Sequence, residues 1–149
     1  MSERPVVTVG AIIERPDGKI LLVRTHKWQN RLGVPGGKIE YGETQVAALA
    51  REILEETALV VGDVRFVLVQ ESIDSPEFYR PSHMILLNYA CRVVETDALR
   101  LNDEAQAFQW AMPSEALTLD LNSPTRQLIE TWLALATPSA FAFALRSEI

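Results

Sequence analysis

Residues 37 to 59 read GKIEYGETQVAALAREILEETAL, a glycine-rich turn running into a helical pattern, and no other stretch constrains this chain so tightly. Thr44 to about Thr57 reads as one helix. Val46, Leu49, Ala50 and Ile53 fall at i, i+3, i+4 and i+7, the spacing of a buried stripe. Glu52, Glu55 and Glu56 are three and four residues apart, so the helix sets them on one face, away from that stripe. Neighbours on a helix surface lie roughly 5–6 Å apart, and two carboxylates at that range repel by roughly 3 kcal/mol in an effective dielectric of about 20. Glutamate-rich faces are often merely solvated. Three mutually repelling carboxylates also describe a site for a hard divalent cation that prefers oxygen ligands.

The remainder of the chain narrows the possibilities. Its 149 residues suit one domain, 1–149, with one substantial core. A net charge of −6 argues against gripping a nucleic acid duplex by its phosphates. It leaves room for a small phosphorylated substrate, because a bound cation inverts the local field. Cys91 is the single cysteine, which excludes an internal disulfide, and its apolar setting reads as inert core. The start, MSERPVVTVG, has no apolar stretch of signal-peptide length, and no window approaches a membrane span. These features predict a cytoplasmic protein without a membrane partner.

The periodicities alternate between strand and helix, which gives an α/β class. Val6 to Glu14 and Lys19 to Arg24 read as a hairpin around Pro16-Asp17-Gly18. Thr25 to Leu32 is a polar loop holding Trp28, and Gly33 to Glu40 is a bend. Val60 to Gln70 is a strand with a break near Gly62-Asp63, Glu71 to Ser82 a loop, and His83 to Val94 a strand buried on both faces. A short strand follows at Ala107 to Ala111 and one helical turn at Pro113 to Leu117. Ser123 caps a second helix to about Ala136, with Pro124 in its first turn and a stripe of Leu128, Ile129, Trp132 and Leu135. Trp110 and Trp132 read as core. In the tail, Phe141, Phe143 and Leu145 fall on one side of an extended chain, which predicts packing on the sheet of this chain or of a twofold partner, with a homodimer favoured.

The order Gly37, five residues, Glu43, seven residues, Arg51-Glu52-Ile53, one residue, Glu55-Glu56, one residue, Ala58-Leu59 closely resembles the signature of the Nudix hydrolase family. Every specified position is matched save Ala58, where the family usually has glycine. Glycine takes a left-handed helix end without strain, so the departure touches helix termination and leaves the acidic face intact.

The resemblance implies an α/β/α sandwich with a mixed sheet. It implies Mg²⁺ or Mn²⁺ held by Glu52, Glu55 and Glu56, with the Gly37 carbonyl as a further ligand. It implies that Arg51 and Glu43 support the loop and helix as a pair. The reaction implied is metal-dependent hydrolysis of a nucleoside diphosphate linked to X (a nucleoside triphosphate, ADP-ribose or a nucleotide sugar), with water attacking phosphorus. Glu52 is the first choice of general base and Glu104 the second. Trp28, Phe78 and Tyr79 are candidates to stack on a base, and Arg80 and Lys27 to meet phosphates. His26 and His83 lack ligand spacing. The alternative is a nucleotide or ADP-ribose sensor on the same fold, against which the intact Glu52, Glu55 and Glu56 argue. Pro76, seventeen residues after Leu59, stands one place off the proline of some ADP-ribose-cleaving relatives.

Overall fold

The computed structural model describes residues 4–135; the apolar tail at 140–145 lies outside them. Strands β1 (Val6–Glu14) and β2 (Ile20–Thr25) form the expected hairpin. Gly18 turns it at φ 88°, and Asp17 accepts from the Lys19 N–H and from Arg15. The loop that follows holds one 3-10 turn, His26–Trp28, and a two-residue strand β3, Leu32–Gly33. The expected bend at Gly33 to Glu40 contains a strand, β4 (Gly36–Lys38), antiparallel to β1. Only glycine allows that pairing, since a Cβ on Gly36 would fall 2.0 Å from the Val9 carbonyl oxygen.

Helix α1 spans Gln45–Thr57, and Thr44 caps it by accepting from the Ala47 N–H at 3.1 Å. Its buried residues are Ala48, Leu49, Ile53, Glu56 and Thr57. This corrects the expected stripe: Val46 is 50% exposed and Ala50 is also outside. The helix is rolled so that Glu56 faces the sheet, where the Gly36 N–H donates to it at 3.2 Å. The three glutamates therefore do not share one outer face.

Ala58 ends α1 at φ 63°, ψ 11°, in the left-handed region. That conformation costs an L-residue with a side chain about 1–2 kcal/mol relative to glycine. Ala58→Gly is therefore expected to raise stability by up to about 1 kcal/mol, glycine's looser unfolded chain cancelling part of the gain. Urea melts measure it, and a clear loss would refute the strain argument.

Strand β5 (Gly62–Ile73) runs three residues beyond the expected end at Gln70 and bulges between Gly62 and Arg65, where the break was expected. It pairs with β6 (His83–Arg92), which pairs with β1 in parallel, so β6 is flanked on both sides and buried. Strand β7 (Ala105–Ala111) pairs with β2, and α2 (Pro113–Ala116) is the expected single turn. Helix α3 spans Ser123–Leu135. Its cap is Asn122, whose Oδ1 accepts from the Thr125 N–H at 2.9 Å, not Ser123 as the sequence suggested. Ser123 instead donates from N–H and hydroxyl to Glu77, both at 2.7 Å.

The sheet order is β3-β2-β1-β6-β5, with one parallel pair among antiparallel ones, a mixed sheet. One core, with Leu49, Ile53, Val9, Ile13, Leu21 and Tyr89, lies under α1. The other, with Ile12, Leu22, Ala90, Leu128 and Ile129, lies under α2 and α3. The result is helices on both faces of a sheet, an α/β sandwich. Trp110 and Trp132 are half-buried against the two cores. Cys91 is buried, which pushes its thiol up to about 12, consistent with an inert core residue. Among the described residues no helix is long and apolar enough to cross a membrane.

Candidate active site

The sheet supplies the floor of a cleft of about 470 Å³. Thr8 and Gly10 of β1 lie beside Leu86 and Asn88 of β6. Trp28 and Phe78, rings edge to face at 4.8 Å, form one wall. Asn122, Pro124 and Thr125 at the start of α3 form another. Gly36, Gly37, Glu52 and Glu104 close the acidic end, and Lys27, Lys38 and Arg80 also line the cleft. A narrow recess of about 70 Å³ shares Lys27, Gly36 and Glu104 with the cleft and reaches Glu56.

The acidic residues occupy three different environments. Glu56 is 4% exposed. Burial first, then the nearby charges of Glu104 and Glu52, push its carboxyl up to about 7, against the pull of the Gly36 N–H. Glu52 is half-buried, and burial raises it against the opposing effect of Arg51, with Glu55 and Glu104 adding repulsion. Glu55 is the outlying member, with its side chain 56% exposed and turned to Arg51 at 3.3 Å. Glu104 sits on the connector before β7, with its side chain 55% exposed and 3.7 Å from the Lys27 ammonium. Among the described residues no three His, Cys, Asp or Glu side chains converge as a ready-made ligand set. Arg51 draws Glu52 and Glu55 toward itself, while Glu56 turns to the Gly36 N–H.

Arg51 clamps the loop to the helix. Its guanidinium donates to both Glu43 oxygens at 2.6 and 2.8 Å, to the Lys38 carbonyl at 3.0 Å and to Glu52 at 3.0 Å. The fork geometry suits arginine and not lysine. Glu43 also accepts from the Glu40 N–H at 2.9 Å, and Arg51 holds its carboxyl down at about 2. Gly37 stands against Glu52, where a Cβ would come within 2.3 Å of its carboxylate.

Of the aromatic candidates, Trp28 and Phe78 line the cleft. Tyr79 does not: it is 50% exposed, with the Arg80 guanidinium over its ring at 5.2 Å. His83 pairs with Glu71 at 2.7 Å, and His26 is exposed and lines neither cavity. Asn88, Asn122, Thr125 and Lys38 line the cleft without having been singled out from the sequence. Asn88 carried a usable signal, as a lone amide in the apolar run MILLNYAC.

Comparison with known proteins agrees with this geometry. The model of the NUDIX domain matches residues 4–132. CTP pyrophosphohydrolase of Escherichia coli is 32% identical over 87% of this chain and 93% of its own length. ADP-ribose pyrophosphatase of Methanocaldococcus jannaschii is 35% identical over 80% of this chain and 64% of its own length. The crystal structure of a MutT NUDIX hydrolase from Burkholderia pseudomallei superposes with a TM-score of 0.74 at 28% identity, covering 87% of this chain and 98% of that one. By family match, by relatives and by fold, this chain belongs to the Nudix hydrolase family.

Proposed function

We propose that this Nudix pyrophosphohydrolase splits a phosphoanhydride bond of a nucleoside triphosphate by attack of water at phosphorus, with Mg²⁺ or Mn²⁺ as cofactor. One observation carries the reading. Glu52 and Glu104, at the end of the cleft, repel Glu56 in the recess beside it, and the cleft also presents Lys27, Lys38 and Arg80. Acids that bear charge only at a penalty, beside cations and an aromatic wall, suit a polyphosphate with its metal and its base. The triphosphate is preferred to ADP-ribose because the match to the relative named for CTP runs nearly end to end.

The residues present fit a hard cation. Glu56 has one backbone donor for its buried carboxylate, and the bare Cα of Gly37 leaves the Glu52 carboxylate room. Glu52, Glu55, Glu56 and the Gly37 carbonyl would hold it. Bound there, the cation supplies charge neutralisation on the bridging and leaving phosphate oxygens. Glu52 accepts the proton of the attacking water, with Glu104 the second candidate. Arg51 positions Glu52. Lys27 and Arg80 balance phosphate charge, and Trp28 and Phe78 flank the base.

The test is the bond broken. Hydrolysis in ¹⁸O-labelled water should place label on a phosphate of the nucleoside monophosphate or of pyrophosphate. Label on a sugar carbon, or a released free base, would refute the reading.

We further propose a homodimer. Strand β5 is the last in the sheet order and exposes Phe66, Val69 and Ile73, a long apolar edge of the kind that invites a partner. Light scattering at micromolar concentration should report twice the chain mass, and a monomer there ends this proposal.

A further inference from the structure

Asn88 stands in the middle of β6, 4% exposed, and lines the cleft. Hydrogen-bond chemistry fixes which way its amide faces. The Pro124 carbonyl only accepts, so the Gln70 atom 2.8 Å from it must be the NH₂ nitrogen. That same Nε2 lies 2.9 Å from Asn88, so the Asn88 atom facing it must be the carbonyl Oδ1. Each proton of Nε2 is thereby used, and Asn88 Nδ2 is left pointing elsewhere. Among the described residues Nδ2 has no hydrogen-bond partner. Among them too, no side-chain nitrogen or oxygen sealed from solvent lacks a partner. Nδ2 therefore opens onto the cleft.

The surroundings keep that donor reachable. Gly10 of β1 is the register partner of Asn88, and a Cβ there would lie 3.7 Å from Nδ2. Its absence leaves open floor beside the donor. Leu86 and Met84 continue the floor, and the Trp28–Phe78 pair makes the wall. A flat ring lying on an apolar floor beside one fixed donor is the recognition problem this arrangement suits. Lys27 lies 3.7 Å from Glu104 at the acidic end, where the phosphates belong.

Resting on the pyrophosphohydrolase reading, we infer that Asn88 determines base specificity: its Nδ2 donates to a carbonyl oxygen or ring nitrogen on the edge of the substrate's base. Gln70 is the positioning residue that holds the amide in that sense. A fixed donor rewards an acceptor and penalises an exocyclic amino group at the same place, because two donors face each other unpaired.

Asn88→Asp keeps the bond from Gln70 and the shape but turns the donor into an acceptor. Asn88→Ala removes the amide. In steady-state kinetics with CTP, UTP, ATP and GTP, both variants should raise KM for the preferred nucleotide at least about tenfold with kcat within about threefold. Their order of preference among the four should also change. In the wild type, the Asn88 side-chain NH₂ resonance should move when the matching nucleoside monophosphate is added, a readout that needs no variant to fold. KM and preference unchanged in a folded variant, a fall in kcat alone, or a still NH₂ resonance would each overturn the assignment. Calorimetry with the unreactive monophosphate separates this reading from the one beneath it. A wild type that binds the monophosphate but hydrolyses no nucleotide refutes the hydrolase reading only. One that hydrolyses with KM indifferent to Asn88 refutes the base contact only.

Discussion

Glu52→Gln and Glu56→Gln are each expected to lower kcat by at least about 10²-fold, the lower end of what a positioned acid–base or electrostatic group contributes. EDTA should abolish the wild-type activity. Both substitutions keep the size of the side chain, and glutamine at 56 can still accept from the Gly36 N–H. What is lost is a charge. The same loss should leave the fold intact. Burial and the neighbouring Glu104 and Glu52 charges disfavour an ionised Glu56, so a neutral side chain relieves a penalty in the metal-free protein. The melting temperature of metal-free Glu56→Gln should equal or exceed that of the wild type while turnover collapses. Full activity in both variants would remove the proposed site. Inactivity with a large loss of stability would make these residues structural.

Gly36→Ala should damage stability and activity together. A Cβ at this position would lie 2.0 Å from the Val9 oxygen, 2.7 Å from the Gly10 Cα and 2.9 Å from the Val9 carbonyl carbon. All three are backbone atoms of β1, so no side chain can turn aside and the two strands must part. Overpacking of this kind costs about 1–3 kcal/mol, occasionally more. The displaced strand carries the Gly36 N–H away from Glu56 and moves Gly37 relative to Glu52. Turnover should therefore fall as well, in the fraction of protein that remains folded. Gly62→Ala is the control: an added Cβ there meets nothing within 4 Å. Equal urea midpoints for the two variants would contradict the close approach of β4 to β1.

Much of the local structure was legible in the sequence because its causes are local. The turn at Gly18, the helix starting near Thr44 and the strain at Ala58 each depend on a few neighbouring residues. The reach of Arg51 back to Glu43 across the first turns of the helix and its preceding loop was an expectation of the family resemblance, and the structure shows the pair. The strand at β4 was hidden, since Gly33 to Glu40 has turn composition and pairs only because β1 lies alongside. The capping role of Asn122 was hidden by the Ser123-Pro124 pair, which offered an equally good local signal. Serine went instead to Glu77, a residue 46 positions away.

The acidic face of α1 divides the two levels most clearly. The sequence by itself determined that a helix forms at this place and that three glutamates sit within its last two turns; the pairing of Arg51 with Glu43 came from the family resemblance. Backbone periodicity and short-range hydrogen bonds suffice for the helix and its glutamates. The sequence did not determine the roll of the helix about its axis. Alanines at 47, 48 and 50 put the same small apolar side chain on several faces, so several faces could have packed on the sheet. The Gly36 N–H on β4 and the core beneath Leu49 and Ile53 selected the face that buries Glu56 and leaves Glu55 outside. In the same way, only the meeting of β6, β5 and α3 turned Asn88 from a lone amide in an apolar strand into a donor with one fixed direction. The orientation of a buried polar group depends on partners distant in sequence, and those partners exist only once the sheet and both helices are in place.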